Sequence, residues 1–274
     1  MKVTVVTPVL NGMPWLPDSI RSVAEQRADL EVEHLVYDGG STDGSVEWLH
    51  DHVSLGYEAI VGPDEGQTDA LAKGFSRATG DILAWLNADD VLEPGSLRRV
   101  VEVFSANPDA AIVTGSCLTI DAEGAIIGAM PVPPVPTFSG LLRLQAFLPQ
   151  PATFFSTEAY RRTDGLDRRY DLAMDLDLWL KLAKVGPIRT LPTEVLARFR
   201  VHPAAKTSMA QAASARQDLR IRRRHGMPLR SHAAIATIRA GYLAPLLTPW
   251  TRPFRALARR VALGSQKGDA ASPS

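Results

Sequence analysis

Ile82-Leu-Ala-Trp-Leu-Asn-Ala-Asp-Asp90 runs five apolar residues in succession into a polar turn that holds two carboxylates. An apolar run with no polar alternation belongs to a strand covered on both faces, as strands of parallel sheets are. Working outward, Val3–Val6, Glu33–Tyr37 and Glu58–Val61 also read as strands. Helical periodicity fills the intervals, at residues 17–26, 45–50 and 68–78. Single helices between strands require right-handed crossovers, so the chain reads as α/β, a mostly parallel sheet flanked by helices. Ligands of such sheets meet the carboxyl ends of the strands. That directs attention to the loops at 7–12, 38–43 and 87–90, all of them polar.

Downstream the alternation weakens. A helix is expected from Pro94 to Ala106, then a hairpin over 111–130 turning at Asp121-Ala-Glu-Gly124, then the proline-rich connector 131–136. Leu176–Val185 reads as an amphipathic helix, with short strands at Ile188–Leu191 and Val195–Arg200. Residues 208–225 and 231–262 look helical with breaks, and 264–274 are small and polar, the composition of a disordered tail. The organisation expected is a body over 1–208, a basic helical C-terminal extension over 209–263, and the tail.

Zero net charge hides an asymmetry. Residues 1–215 carry 18 Lys+Arg against 28 Asp+Glu, whereas residues 216–260 carry 11 Arg against one Asp. Such a basic segment suits an anionic membrane surface, the acidic body itself or a second subunit. Nucleic acid is not expected, because no interleaved aromatics or binding motif accompany the arginines. The single cysteine, Cys117, excludes an internal disulfide framework and a multi-thiolate metal site. Met1-Lys-Val-Thr-Val-Val-Thr7 reads as a strand rather than a leader, and no run of about 18 uncharged apolar residues occurs, so a cytoplasmic location is expected, peripheral to the inner membrane face if the extension binds lipid.

Five constellations carry chemistry. Asp38-Gly-Gly-Ser-Thr-Asp-Gly-Ser45 places a carboxylate at a strand end, where it can accept from a base N–H or a ribose hydroxyl while the glycines let backbone approach. Asn87-Ala-Asp-Asp90 is oxygen-rich, a set that suits Mg²⁺ or Mn²⁺ and through it a diphosphate. Asp69 and Lys73 lie one turn apart, either as a surface ion pair or beside a nucleotide. Asp175-Leu-Asp177 opens a helix and offers a carboxylate as general base. Arg200-Val-His202 adds a guanidinium suited to a diphosphate and an imidazole suited to a metal. Each has a plain structural alternative: a capped turn, a helix-start carboxylate favoured by the dipole, or a structural histidine.

Taken in order, Thr7-Pro-Val-Leu-Asn11, Asp38–Asp43, Gly62-Pro-Asp-Glu-Gly66, Ala78-Thr-Gly-Asp81, Trp85–Asp90, Gln150-Pro-Ala-Thr-Phe-Phe155, Met174–Trp179 and Arg200-Val-His202 resemble the inverting family 2 glycosyltransferases of GT-A fold. The resemblance covers about residues 1–208. It implies a nucleoside-diphosphate sugar as donor and a hydroxyl of a glycan or lipid-linked molecule as acceptor. Asp38 then stands where the base is contacted, with Thr7 and Pro8 beside the nucleoside. Asn87-Ala-Asp89 occupies the place of the family's Asp-x-Asp motif, which makes Asp89 the expected ligand of Mn²⁺ or Mg²⁺ and His202 its companion. Asn87 departs from the commonest pattern and removes one charge. Asp175 is the expected base, with Asp177 in reserve, and Met174 stands where many relatives carry Glu. Arg200 is expected on the leaving diphosphate.

Three other readings are weighed. A nucleotidyltransferase would place a basic glycine-rich loop after the first strand, but Pro8-Val-Leu-Asn-Gly-Met-Pro14 has no Lys or Arg. A dinucleotide oxidoreductase would show Gly-x-Gly-x-x-Gly there, and the chain does not. A non-catalytic nucleotide-sugar binder is suggested by Asn87 and Met174 and opposed by Asp89, Asp175 and His202.

Overall fold

The computed structural model describes residues 1–28, 30–203, 205–206 and 211–227. Four strands form its parallel half: β1 (Val3–Val9), β2 (Val32–Asp38), β3 (Glu58–Val61) and β4 (Ile82–Trp85). The helices between them are α1 (Leu16–Ala24), α2 (Ser45–Asp51) and α3 (Gln67–Arg77). Past the short β5 (Val91–Leu92) come α4 (Ser96–Ala106), β6 (Ile112–Ile120), β7 (Ile126–Met130) and α5 (Phe138–Leu142). The chain then forms β8 (Thr153–Ser156), α6 (Thr157–Arg161), α7 (Met174–Val185), β9 (Ile188–Arg200) and α8 (Gln211–Arg224). One sheet results, ordered β3-β2-β1-β4-β8-β6-β9-β5, with β7 paired to β6.

The apolar run of β4 is buried as expected, but its two neighbours differ in direction. β4 lies parallel to β1 and antiparallel to β8. Alternate residues face alternate cores: Val6, Leu83, Trp85 and Phe155 pack under α3 and α7, while Val5, Ile82, Ala84 and Phe154 pack under α4. Burial of both faces explains why no polar alternation is visible in these strands.

The fold also makes a crevice. From β1 the chain steps outward to β2 and β3, then returns to lay β4 on the other side of β1, so the switch point lies between β1 and β4. Pairing of β1 with β4 stops at Val6 and Trp85, closed by the bond from the Leu86 N–H to the Val6 carbonyl. Pro8 stands two residues further on, facing the same side, where no ladder donor is required. A proline is thus tolerated in a strand with neighbours on both sides, and the two strands open into the crevice beyond it.

The hairpin over 111–130 forms as β6 and β7, with the Asp121 carboxylate accepting from the Glu123 and Ala125 N–H groups across the turn. The two short strands expected after residue 187 are instead the single β9, whose register on β6 slips near Gly115 and Ser116. A Cβ at Gly115 would come within 2.6 Å of Leu196, so the slip is where β9 crosses over a bare backbone. α8, read from sequence as part of a separate extension, joins the main core through Ile221 and packs on α7. The remaining extension, 228–263, and the tail, 264–274, lie outside the described residues. Among the described residues no helix is long and apolar enough to cross a membrane.

Candidate functional site

The loops after β1 and β2 are bonded to each other. Asn11, in the left-handed region at φ 52°, receives the Thr42 N–H on its side-chain oxygen at 2.9 Å and donates its own N–H to Ser41 Oγ at 2.7 Å. Gly12 N–H donates to Ser45 Oγ and Met13 N–H to Asp43 Oδ2. The pair of loops presents Asp38, which is buried. Its Oδ1 accepts from the Gly40 and Ser41 N–H groups at 2.9 and 2.7 Å, while Oδ2 is buried with no partner. A buried acceptor in that condition is an offer to a donor from outside the chain.

Thr7 is not such an offer. It is fully buried, with Oγ1 2.9 Å from His34 Nε2. Burial, aided by the Arg27 charge, pushes His34 down to about 3, so the ring is neutral. The Thr7 hydroxyl is thus committed to His34 within the sheet. Pro8 is also buried within β1.

The acidic turn after β4 lies against the same loops, since a Cβ on Gly12 would sit 3.2 Å from that of Ala88. Asn87, expected at the place of the Asp-x-Asp motif, is the hub of this turn. Its Oδ1 accepts from Trp85 Nε1 at 2.7 Å and Gln67 Nε2 at 2.8 Å. Its Nδ2 donates to Asp90 Oδ2 at 3.0 Å and Gln150 Oε1 at 3.1 Å. An amide has two donors and two acceptor positions, so nothing remains for a ligand. Asp90 is wholly buried; burial and the Asp89 charge raise it well above the usual carboxylate range, and its Oδ1 accepts from the Arg200 N–H.

Asp89 is the carboxylate that reaches outward, its side chain 28% exposed and its Oδ2 3.0 Å from His202 Nε2. The His202 ring stacks on Trp15 with centroids 3.9 Å apart, and its Nδ1 is buried without a partner. Among the described residues no three His, Cys, Asp or Glu side chains converge on a metal position. A carboxylate and an imidazole side by side, the carboxylate partly exposed, are the donor types that would suit a Mg²⁺ or Mn²⁺ ion.

Arg200 is bonded within the protein. Its guanidinium was expected on a diphosphate, yet Nε donates to the Asp89 carbonyl at 3.0 Å, Nη1 to the Asp121 and Ala122 carbonyls, and Nη2 reaches Asp18 at 3.3 Å. The side chain is 4% exposed and fastens the acidic turn to the β6–β7 hairpin.

Asp69 is buried and meets two half-exposed cations, Lys73 Nζ at 2.7 Å and Arg168 Nη2 at 3.0 Å. The hydrogen bond from Lys73 is the main reason its carboxyl lies below the usual range. The same first turn of α3 receives the segment before α7, Thr68 Oγ1 donating to the Tyr170 carbonyl at 2.8 Å. That segment leads to Asp175, whose Oδ1 accepts from the Leu176 N–H at 2.8 Å. Burial pushes Asp175 up to about 6; Asp218 adds to the rise and Arg222 opposes it.

Asp177, held in reserve as the base, faces other partners. It is buried between His225 Nε2 at 2.9 Å and Lys181 Nζ at 2.7 Å, and Lys181 also reaches Gly165 and Asp164. Burial acts to raise Asp177, but the bonds from His225 and Lys181 hold it below the usual range.

Trp15, Gln67, Arg168 and Gln217 were not singled out from sequence. Each acts through a partner remote in the chain, such as Gln67 on Asn87 or Trp15 on His202, and no local pattern encodes such a pairing.

The sequence model described as glycosyl transferase family 2 matches residues 4–162. An uncharacterized glycosyltransferase of Nostoc sp. is 28% identical over 229 residues, which cover 80% of this chain and 70% of that protein. Among solved structures, residues 1–349 of Staphylococcus aureus TarS in complex with UDP-GlcNAc superpose with a TM-score of 0.66 at 16% identity, covering 89% of this chain and 72% of that one. The mannosyltransferase PcManGT of Pyrobaculum calidifontis, in complex with GDP-Man and Mn²⁺, gives 0.59 at 20% identity, covering 95% and 80%. These likenesses show the fold, the mixed α/β sheet with flanking helices called GT-A.

Proposed function

The chain belongs to glycosyl transferase family 2, and from that premise we propose that it moves a sugar from a nucleoside-diphosphate donor to an acceptor hydroxyl with inversion at the anomeric carbon. The observation that carries this reading is that the unpartnered Asp38 Oδ2, at the end of β2, and the Asp89–His202 pair stand at the same carboxyl edge of the sheet, beside loops that meet at Gly12 and Ala88. Asp38 receives an N–H of the base or a hydroxyl of the ribose. Asp89 and His202 hold a divalent ion, which when bound offsets the charge of the diphosphate. The Mn²⁺ and GDP-Man in the PcManGT structure support this assignment, as does the UDP-GlcNAc held by TarS. Lys73 and Arg168, half exposed on Asp69, supply the cations that Arg200 does not.

Asp175 is the base in this reading. With its carboxyl raised to about 6, it is ionised at neutral pH yet retains affinity for a proton. It takes the proton of the acceptor hydroxyl as that oxygen bonds to the anomeric carbon, and the bond to the diphosphate breaks on the opposite face. A glycan or lipid-linked acceptor is the expectation for this family.

Calorimetric titration with UDP, GDP and dTDP, each with Mn²⁺ and again with EDTA, tests the donor site. The expected result is metal-dependent binding of one nucleotide, which names the donor class. Failure of all three to bind in either condition overturns the reading of Asp38 and Asp89 together.

A further inference from the structure

α8 lies beyond the stretch matched to the family, yet it makes a specific set of contacts at the entrance to α7. Gln217 Oε1 accepts from the backbone N–H groups of both Asp171 and Leu172, at 3.2 and 3.1 Å, and its Nε2 donates to the Asp171 carboxylate. Ser214 Oγ lies 3.5 Å from the Leu172 carbonyl. One side chain thus holds two consecutive amides three and four residues before Asp175. One turn along the helix, Asp218 and Arg222 form a buried ion pair, each 4% exposed, and Arg222 also donates to the Leu141 carbonyl of α5. This pair is costly to bury and touches no solvent. A helix needed only to cover α7 would do so with apolar residues, as Ile221 does.

We propose that Gln217 and the Asp218–Arg222 pair are positioning residues for Asp175, holding the start of α7 so that the carboxylate meets the acceptor. The proposal rests on the reading of Asp175 as the base. The charged groups acting on Asp175 from the elements packed against α7 are Asp218 and Arg222, with opposite effects. On its own helix, Asp177 and Lys181 are paired with each other, and His225 is bound to Asp177. Asp218 and Arg222 thus act on Asp175 with opposite signs from a single helix.

The opposition of signs supplies the test. Carboxyl ¹³C signals of the full-length chain are titrated without ligand, and Asp175→Asn assigns the resonance. Asp218→Asn removes the repelling charge and moves the Asp175 midpoint down, whereas Arg222→Met moves it up, each by roughly half a unit or more. Gln217→Leu slows turnover of the donor identified by nucleotide titration and leaves its KM unchanged. Exchanging the pair, Gln217→Glu with Asp171→Asn, keeps the acceptor for both amides and a donor–acceptor bond between the two side chains, and restores most of that turnover. Gln217 is only half buried, so its variants stay informative even where the charge variants fold poorly.

Midpoints that stay in place, or that move the same way in both charge variants, overturn the proposal, because loss of packing alone has no sign. Equal turnover in Gln217→Leu and wild type overturns it as well. Transfer retained by Asp175→Asn overturns the underlying reading of the base, and the proposal with it. Transfer lost in Asp175→Asn with unmoved midpoints overturns the proposal alone.

Discussion

Asp175 and Asn87 carry the sharpest consequences at the scale of single residues. On the proposal that Asp175 is the base, its carboxyl, raised to about 6 by burial, must be ionised to act, so activity is full above that value and lost as pH falls through it. The expected kcat/KM profile has an acid limb near 6 with a slope of one proton, absent in Asp175→Asn, which loses transfer while nucleotide affinity stays within about twofold. A limb near 4 instead would point to a solvated carboxylate. Asn87 argues the opposite way from its apparent defect. The missing charge of the Asp-x-Asp pattern looks like weakened metal binding, but both faces of the amide are bonded within the protein. Asn87→Asp would turn a donor into a carboxylate facing Asp90 and Gln150, with the buried Asp90 already resisting ionisation. The expected outcome is a loss of about 2–4 kcal/mol in urea unfolding, larger at pH 8 than at pH 5, without tighter Mn²⁺ binding in the presence of nucleotide.

At the scale of elements, α3 shows how closely the sheet and its cover must meet. Gly74 faces β1 so tightly that an added Cβ would lie 2.4 Å from Val6 Cγ1 and 3.3 Å from Tyr37. Gly74→Ala improves helix propensity by about 1 kcal/mol, but overpacking costs about 1–3 kcal/mol, so a net loss is expected in urea unfolding. That balance also explains what the sequence does and does not disclose. Strands β1 to β4 and helices α1 to α4 were legible because their apolar spacing is local, and β1, β2 and β4 are buried along nearly their whole length. β8 and α6 were not, since the strand passes at Ser156 straight into a single helical turn at Thr157, with no turn residue to separate them. Of the site, Asp38, Asp89, Asp175 and His202 could be named from their places at element ends. The commitments of Thr7, Asn87, Asp177 and Arg200 could not, because each depends on a partner from 20 to more than 180 positions away, as Arg200 on Asp18.

The whole molecule divides its charge along the chain, with an acidic body up to residue 215 and 11 arginines against one aspartate over 216–260. α8 shows that part of this basic stretch folds inward, since Arg222 is buried on Asp218 and Arg224 reaches Asp167. Six arginines, from Arg230 to Arg260, lie further on, interspersed with Trp250, Phe254 and Leu257. A segment of that composition gains roughly 1 kcal/mol per basic residue near an anionic surface, with apolar side chains adding to it in the interface. Against the acidic body the same charges would be partly neutralised, and salt would weaken both arrangements. The full chain is therefore expected to float with phosphatidylserine vesicles at 50 mM salt, to release at 500 mM, and to ignore phosphatidylcholine vesicles. A chain ending at residue 230, which retains α8, should stay unbound throughout. If that shorter chain floats equally well, the arginines beyond 230 do not make the contact, and the basic stretch serves the protein's own packing through α8.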